Sequence, residues 1–119
     1  MREVTYCDDN SYGTHPTQIE ASDDTNAAGM PAGYFITSRG DCSTWRIPFQ
    51  NGPFTEGCNG VLDVDLLAVL RDRMACAQAG PFACMQNAKT LALLEECMMW
   101  QQARQADRLA RSVQATNTP

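Results

Sequence analysis

Trp100, Arg104, Arg108 and Arg111 are the residues of this 119-residue chain whose types and spacing speak most directly of chemistry. They stand 4, 4 and 3 positions apart, so on a helix of about 3.6 residues per turn they share one stripe. Guanidinium forks match phosphate oxygens two bonds at a time, and an indole or guanidinium plane stacks on a nucleobase. The stripe therefore suits a phosphate clamp. A solvated basic face, with Asp107 pairing locally, fits the composition equally well. Asn87 is a further polar residue upstream of the stripe. Its carboxamide can present both a donor and an acceptor to a base edge, and it also reads as an ordinary first-turn helix residue.

Little else in the chain points to catalysis. The single histidine, His15, precedes a proline in a loop-like stretch. Glu95 and Glu96 are adjacent and so point about 100° apart on a helix, which is no paired-carboxylate site. No P-loop, G-x-G-x-x-G or G-x-S-x-G run occurs. The reading is a protein with no catalytic residues and no cofactor. The six cysteines, at 7, 42, 58, 76, 84 and 97, contain no C-x-x-C pair, so a zinc site is not expected. Free thiols are expected instead, with Cys76, Cys84 and Cys97 packing as small hydrophobes.

Net charge is −5 and unevenly spread. Residues 1–30 hold one arginine against six acids, whereas residues 100–119 hold three arginines against one aspartate. A DNA or RNA polymer would call for a broad basic surface. A small basic cluster in an acidic body suits a small anion better. No apolar run approaches the roughly 20 residues of a membrane span, so no membrane partner is expected. "MREVTYCDDN" lacks the basic-then-apolar pattern of a signal peptide, which favours a cytosolic protein.

The elements that must position the stripe follow from hydrophobic period. "EVTY" alternates Val4 and Tyr6, a short strand is expected around Gln18–Ala21, and "GYFITS" is β-branched and aromatic. "RGDCS" reads as a turn rather than an adhesion motif. "TWRIPFQ" alternates Trp45, Ile47 and Phe49, with Pro48 suited to an edge strand or a strand end. Two Asn-Gly pairs in "NGPFTEGCNG" signal turns. From Leu62 the period becomes helical. Asp63 is the expected N-cap, and Leu66, Leu67, Leu70, Met74 and Ala77 form an apolar face. Gly80 ends this helix and Pro81 allows another to begin near Phe82 and run to at least Arg108. Its apolar stripe is Leu91, Leu94 and Met98, continuing at Ala106, Leu109 and Val113 and thinning at Gln101 and Gln102. The fold expected is α+β: one domain with a small N-terminal antiparallel β region (1–60), then a long-helix αα-hairpin and tail (61–119). The far half of the long helix lacks a partner in such a layout, which predicts an oligomer.

The blocks Phe49-Gln50-Asn51-Gly52-Pro53, Gly80-Pro81-Phe82-Ala83-Cys84 with Asn87, Leu94-Glu95-Glu96 with Met99-Trp100, and Arg104, Asp107, Arg108 and Arg111 occur together in that order. In this combination the chain resembles the phage anti-Thoeris signal-sponge family, the first type of Thoeris anti-defence protein. The likeness is strong over residues 49–111 and poor before Tyr34. It implies a β region and helical hairpin assembled as a homo-oligomer, a hexamer built from dimers, in the host bacterial cytoplasm. It implies binding, without cleavage, of a TIR-generated cyclic ADP-ribose isomer (glycocyclic ADP-ribose). Some members also bind cyclic di- or trinucleotides of CBASS immunity at other sites in the hexamer. By position the ligand residues fall on Asn87, Arg104 and Arg108, with Trp100, Arg111, Gln50 and Asn51 in the same blocks. Ala77 stands where the family often has a phenylalanine, so one stacking wall is absent or supplied by another residue. The family's glycine-bearing tail is replaced after Arg111 by Ser112-Val113-Gln114-Ala115-Thr116, which lets the helix continue.

Overall fold

The computed structural model describes residues 1–4 and 15–111. Tyr6, Cys7 and Val113, and the tail after Arg111, lie outside the described residues. Four strands and two long helices are present, and the chain divides between Val61 and Leu62 into two compact units.

The first unit is an antiparallel sheet in sequence order: β1 (Arg2–Val4), β2 (Thr17–Ala21), β3 (Gly33–Ser38) and β4 (Thr44–Pro48). Each pair keeps the side-chain alternation in phase. Val4 faces Ile19, Ile19 faces Ile36, and Ile36 faces Trp45. Ala21, Tyr34 and Ile47 fall in line on the same face, because residues two apart point the same way. The opposite face carries Glu20, Phe35 and Arg46 in register, with the Arg46 guanidinium 6.0 Å above the Phe35 ring. Pro48 ends the edge strand, where its missing N–H costs no ladder bond.

The expected turn at "RGDCS" joins β3 to β4. Cys42 takes the left-handed conformation there, at φ 61°. Asp41 Oδ1 accepts the Ser43 N–H at 3.0 Å. The hydrogen bonds from Ser43 and Ser38 hold the Asp41 carboxyl below the ordinary aspartate range.

Beyond β4 the chain loops through a 3-10 turn, Phe54–Glu56, and returns beside Phe49, which bridges Val61. At this crossing Gly60 is required. A Cβ there would sit 2.5 Å from the Phe49 carbonyl carbon and 2.7 Å from the Pro48 oxygen, both backbone atoms. Gly60→Ala is expected to destabilise the fold by about 1–3 kcal/mol, as overpacking does. Urea unfolding checks this, and an unchanged midpoint would mean that the loop is not held against the strand.

The second unit is an αα-hairpin of α1 (Asp63–Ala79) and α2 (Met85–Ala110), packed along each other. Leu62 rather than Asp63 is the N-cap of α1. Asp65 reaches back so that its Oδ2 accepts the Leu62 N–H at 2.8 Å, and both aspartates favour the first turn. The second helix begins at Met85, later than the Phe82 expected from Pro81. Cys84 is extended (φ −156°, ψ 166°) and its thiol accepts the Asn87 N–H, so the cap lies three residues past the proline.

The packed stripe of α2 is Asn87, Leu91, Leu94, Met98 and Gln101, ending on Arg108. Leu91, Leu94 and Met98 were expected there. Ala106 and Leu109 were also expected to continue the stripe and do not, since both are exposed. On α1, Leu66, Leu67, Met74 and Ala77 are half-buried, but Leu70 is exposed. The reason is shared: one α-helix covers only a narrow strip of another, so the broad apolar faces are left half uncovered. Neither helix buries an apolar side chain among the described residues, and Leu93, Met99, Trp100 and Leu109 are each more than 60% exposed. The thiols follow the same rule. Cys42, Cys58, Cys76, Cys84 and Cys97 are free, as expected, but all are exposed, so Cys76, Cys84 and Cys97 do not pack inside the chain.

Candidate functional site on the helical hairpin

The hairpin presents its polar chemistry at two ends. At the turn, Gln78 Oε1 accepts the Cys84 N–H at 2.9 Å and Asn87 Nδ2 donates to the Phe82 carbonyl at 3.4 Å. These bonds stitch residues 80–84 into one shape. They orient the Asn87 carboxamide while leaving its oxygen and one N–H for a ligand. Ala77 lies half-buried two residues from the end of α1, at the same end of the hairpin as Asn87.

The arginines lie at the other end. Arg104 is exposed and Trp100 is 67% exposed. Arg111 pairs with Asp107 one turn back, Nε to Oδ2 at 3.1 Å, in an exposed ion pair of the kind worth a few tenths of a kcal/mol. Arg108 differs from the other three: it is buried, at 9% exposure, and is not a free cation. The expected stripe is therefore one of position rather than of environment. Trp100, Arg104 and Arg111 face outward and Arg108 sits at the inward edge, because a stripe 3 and 4 residues apart drifts around the helix.

Gln50 and Asn51 belong to the sheet unit, where they organise a loop. Gln50 Nε2 donates to the Gly57 carbonyl at 2.9 Å while its Oε1 accepts the Asn59 N–H at 2.9 Å. Asn59 Nδ2 donates to the Asn51 carbonyl at 2.7 Å, and its Oδ1 accepts the Asn51 N–H at 2.8 Å. Both ends of the Gln50 amide are thus spent on backbone. Asn59 closes the loop, and the mark of it in the sequence is the second Asn-Gly pair, eight residues after the first.

The decisive geometry is along α2. At about 1.5 Å per residue, Asn87 and Arg104 are roughly 26 Å apart along the axis, and Asn87 and Arg108 about 32 Å. No small nucleotide spans that distance, so a single chain does not bring the expected ligand residues together. What one chain does present is a helical hairpin with an oriented amide at its tip, an aromatic and arginines on its far half, and an apolar flank between.

These features define a small protein built of an antiparallel β-sheet unit and a helical-hairpin unit, with no group of three or more potential metal ligands among the described residues. Residues 44–106 match the family model described as the Acb2/Tad1 hairpin domain, more than half the chain, and the chain belongs to that family. The match includes Ala77, Asn87, Trp100 and Arg104, and stops before Arg108 and Arg111. The chain is also 42% identical over 72 residues to "Thoeris anti-defense 1" of Bacillus phage SBSphiJ7, covering 60% of this chain and 51% of that protein. It therefore spans about half the length of the curated relative it matches. Among the described residues no helix is long and apolar enough to cross a membrane.

Proposed function

We propose that this protein counters Thoeris immunity as a phage sponge. It binds a TIR-generated cyclic ADP-ribose isomer, glycocyclic ADP-ribose, and holds it without cleaving it, in the cytoplasm of the host bacterium. The observation that carries this reading is family membership through the hairpin, joined to a relative whose name is an anti-defence function. The chemistry of the stripe supports it. A cyclic ADP-ribose carries two phosphates, and Arg104 and Arg108 stand one helical turn apart, a spacing that serves both.

The separation of Asn87 from the arginines supports a shared pocket. Arg104 of one copy meets Asn87 of another where two hairpins join, and the apolar flank of α2 is covered in the same step. The full assembly is a hexamer built from dimers. In a water-excluding pocket each charge-assisted hydrogen bond gains strength. A sponge must also hold its ligand longer than the effector does, so slow release matters more than turnover. Arg108 enters this site by exchanging its present partner for phosphate.

The test is to incubate the protein with glycocyclic ADP-ribose, remove free nucleotide, denature the complex by heat and identify what is released. Intact nucleotide supports sequestration, whereas a cleaved product would make the protein an enzyme. A parallel titration with cyclic di- and trinucleotides tests the alternative, a sponge for CBASS signals, either alone or at additional sites in the same hexamer.

A further inference from the structure

The loop after β4 contains the dipeptide Asn-Gly twice, at Asn51-Gly52 and at Asn59-Gly60. Such a pair has a reaction of its own in water, because glycine has no side chain to shield its main-chain nitrogen. Both asparagines are exposed, so access to solvent does not distinguish them. Their hydrogen bonds do.

We propose that Asn51-Gly52 is a self-modifying site, which closes to a succinimide in the folded protein and reopens as aspartate or isoaspartate, and that Asn59 spares its own pair while activating this one. The Gly52 main-chain nitrogen, having given its proton to hydroxide, attacks Cγ of Asn51. The new N–Cγ bond forms, the Cγ–Nδ2 bond breaks, and the side-chain nitrogen leaves as ammonia. Water then opens the cyclic imide. Cleavage of N–Cγ leaves aspartate, and cleavage of the original peptide bond leaves isoaspartate. Either product adds a negative charge to the loop, and no oxidant or cofactor is consumed. The reaction is independent of what the protein binds.

The Asn51 carboxamide makes no hydrogen bond among the described residues, so its Cγ is free to turn toward the Gly52 nitrogen. Gly52 stands at φ 88° with nothing within 4 Å of where a Cβ would be, so the nitrogen is approached without obstruction. The Asn51 carbonyl oxygen accepts from Asn59 Nδ2 at 2.7 Å. That oxygen and the Gly52 nitrogen belong to one amide, so the bond draws charge from it and stabilises the ionised form that must attack.

The second pair is held at every point that the reaction would have to move. Asn59 Oδ1 accepts the Asn51 N–H at 2.8 Å while Nδ2 holds the carbonyl, so both ends of this carboxamide are engaged. The Asn59 N–H is given to Gln50 Oε1 at 2.9 Å. Gly60 lies against the backbone of Phe49 and Pro48, and the next N–H, of Val61, donates to the Pro48 carbonyl at 2.8 Å. Its nitrogen cannot swing onto Cγ of Asn59 without undoing this crossing. In the isoaspartyl product at position 51, the oxygen that Asn59 held belongs to a free carboxylate, so the reaction breaks the clamp that promoted it.

The test ages wild-type protein at mildly alkaline pH, folded in one sample and unfolded in guanidinium chloride in another. Fragmentation of the tryptic peptide 47–71, which carries both asparagines, then locates the amide-to-acid mass gain. In the folded protein Asn51 is expected to convert roughly tenfold or more faster than Asn59, since the hydrogen bonds of Asn59 must break before it can react. In guanidinium the two should convert at similar rates. Asn51 is also expected to convert no more slowly folded than unfolded, the mark of an activated pair rather than a merely exposed one. Equal rates in the folded protein overturn the proposal, as does the same preference for Asn51 in guanidinium, which would place the selectivity in local sequence. Slower conversion of Asn51 folded than unfolded overturns the activating role of Asn59.

Discussion

Arg104→Ala is expected to weaken glycocyclic ADP-ribose binding by roughly ten- to hundredfold while leaving the oligomeric mass unchanged. A hydrogen bond to a charged group contributes about 1.5–3 kcal/mol, and its loss in a closed pocket leaves the phosphate without a counter-charge. Arg104 is the cleaner probe of the two arginines because it is exposed in the single chain and makes no call on the fold. Arg108→Ala is expected to lower affinity as well, but Arg108 is buried and engaged, so that variant should also lose thermal stability. Calorimetry with light scattering on the same samples separates these effects. Wild-type affinity in Arg104→Ala would remove the arginine half of α2 from the binding site.

Leu93→Asp is expected to dissociate the assembly and abolish nucleotide binding together. Leu93 is 61% exposed in the single chain, and covering such a side chain stabilises a contact by about 1.5–3 kcal/mol. The substitution removes that gain in both copies at once and adds a charge that must be desolvated. Light scattering should report a monomer, and calorimetry no binding. The coupling is the informative part, because Asn87 and Arg104 are too far apart on one helix to share a ligand. A monomeric Leu93→Asp protein that still bound glycocyclic ADP-ribose would show that one chain carries a complete site.

The local patterns in the sequence were enough for the elements, and the reason is period. The alternation of Trp45 and Ile47, or of Tyr34 and Ile36, has one solution as a sheet face, and the structure adopts it. Leu91, Leu94 and Met98 likewise have one solution as a helical stripe. Pro81 is compatible with a first helical turn, yet α2 starts four residues later, at Met85. What moved the start was non-local: the Gln78 carboxamide takes the Cys84 N–H across the turn, and no propensity encodes that bond.

The arginine stripe shows where sequence stops and tertiary structure begins. Residue type and spacing alone placed Trp100, Arg104, Arg108 and Arg111 along one side of one helix. That much is a consequence of the 3.6-residue turn and holds in any surroundings. Spacing says nothing about which edge of the stripe meets another element. Only the packing of α2 decided that Arg108 turns inward while Arg104 and Trp100 stay in solvent. The same packing left Leu93 and Cys97 uncovered, and the length of α2 set Asn87 at the opposite end from the arginines. Sequence named the groups that can hold a phosphate. The length of one 26-residue helix determined that a single copy cannot gather them.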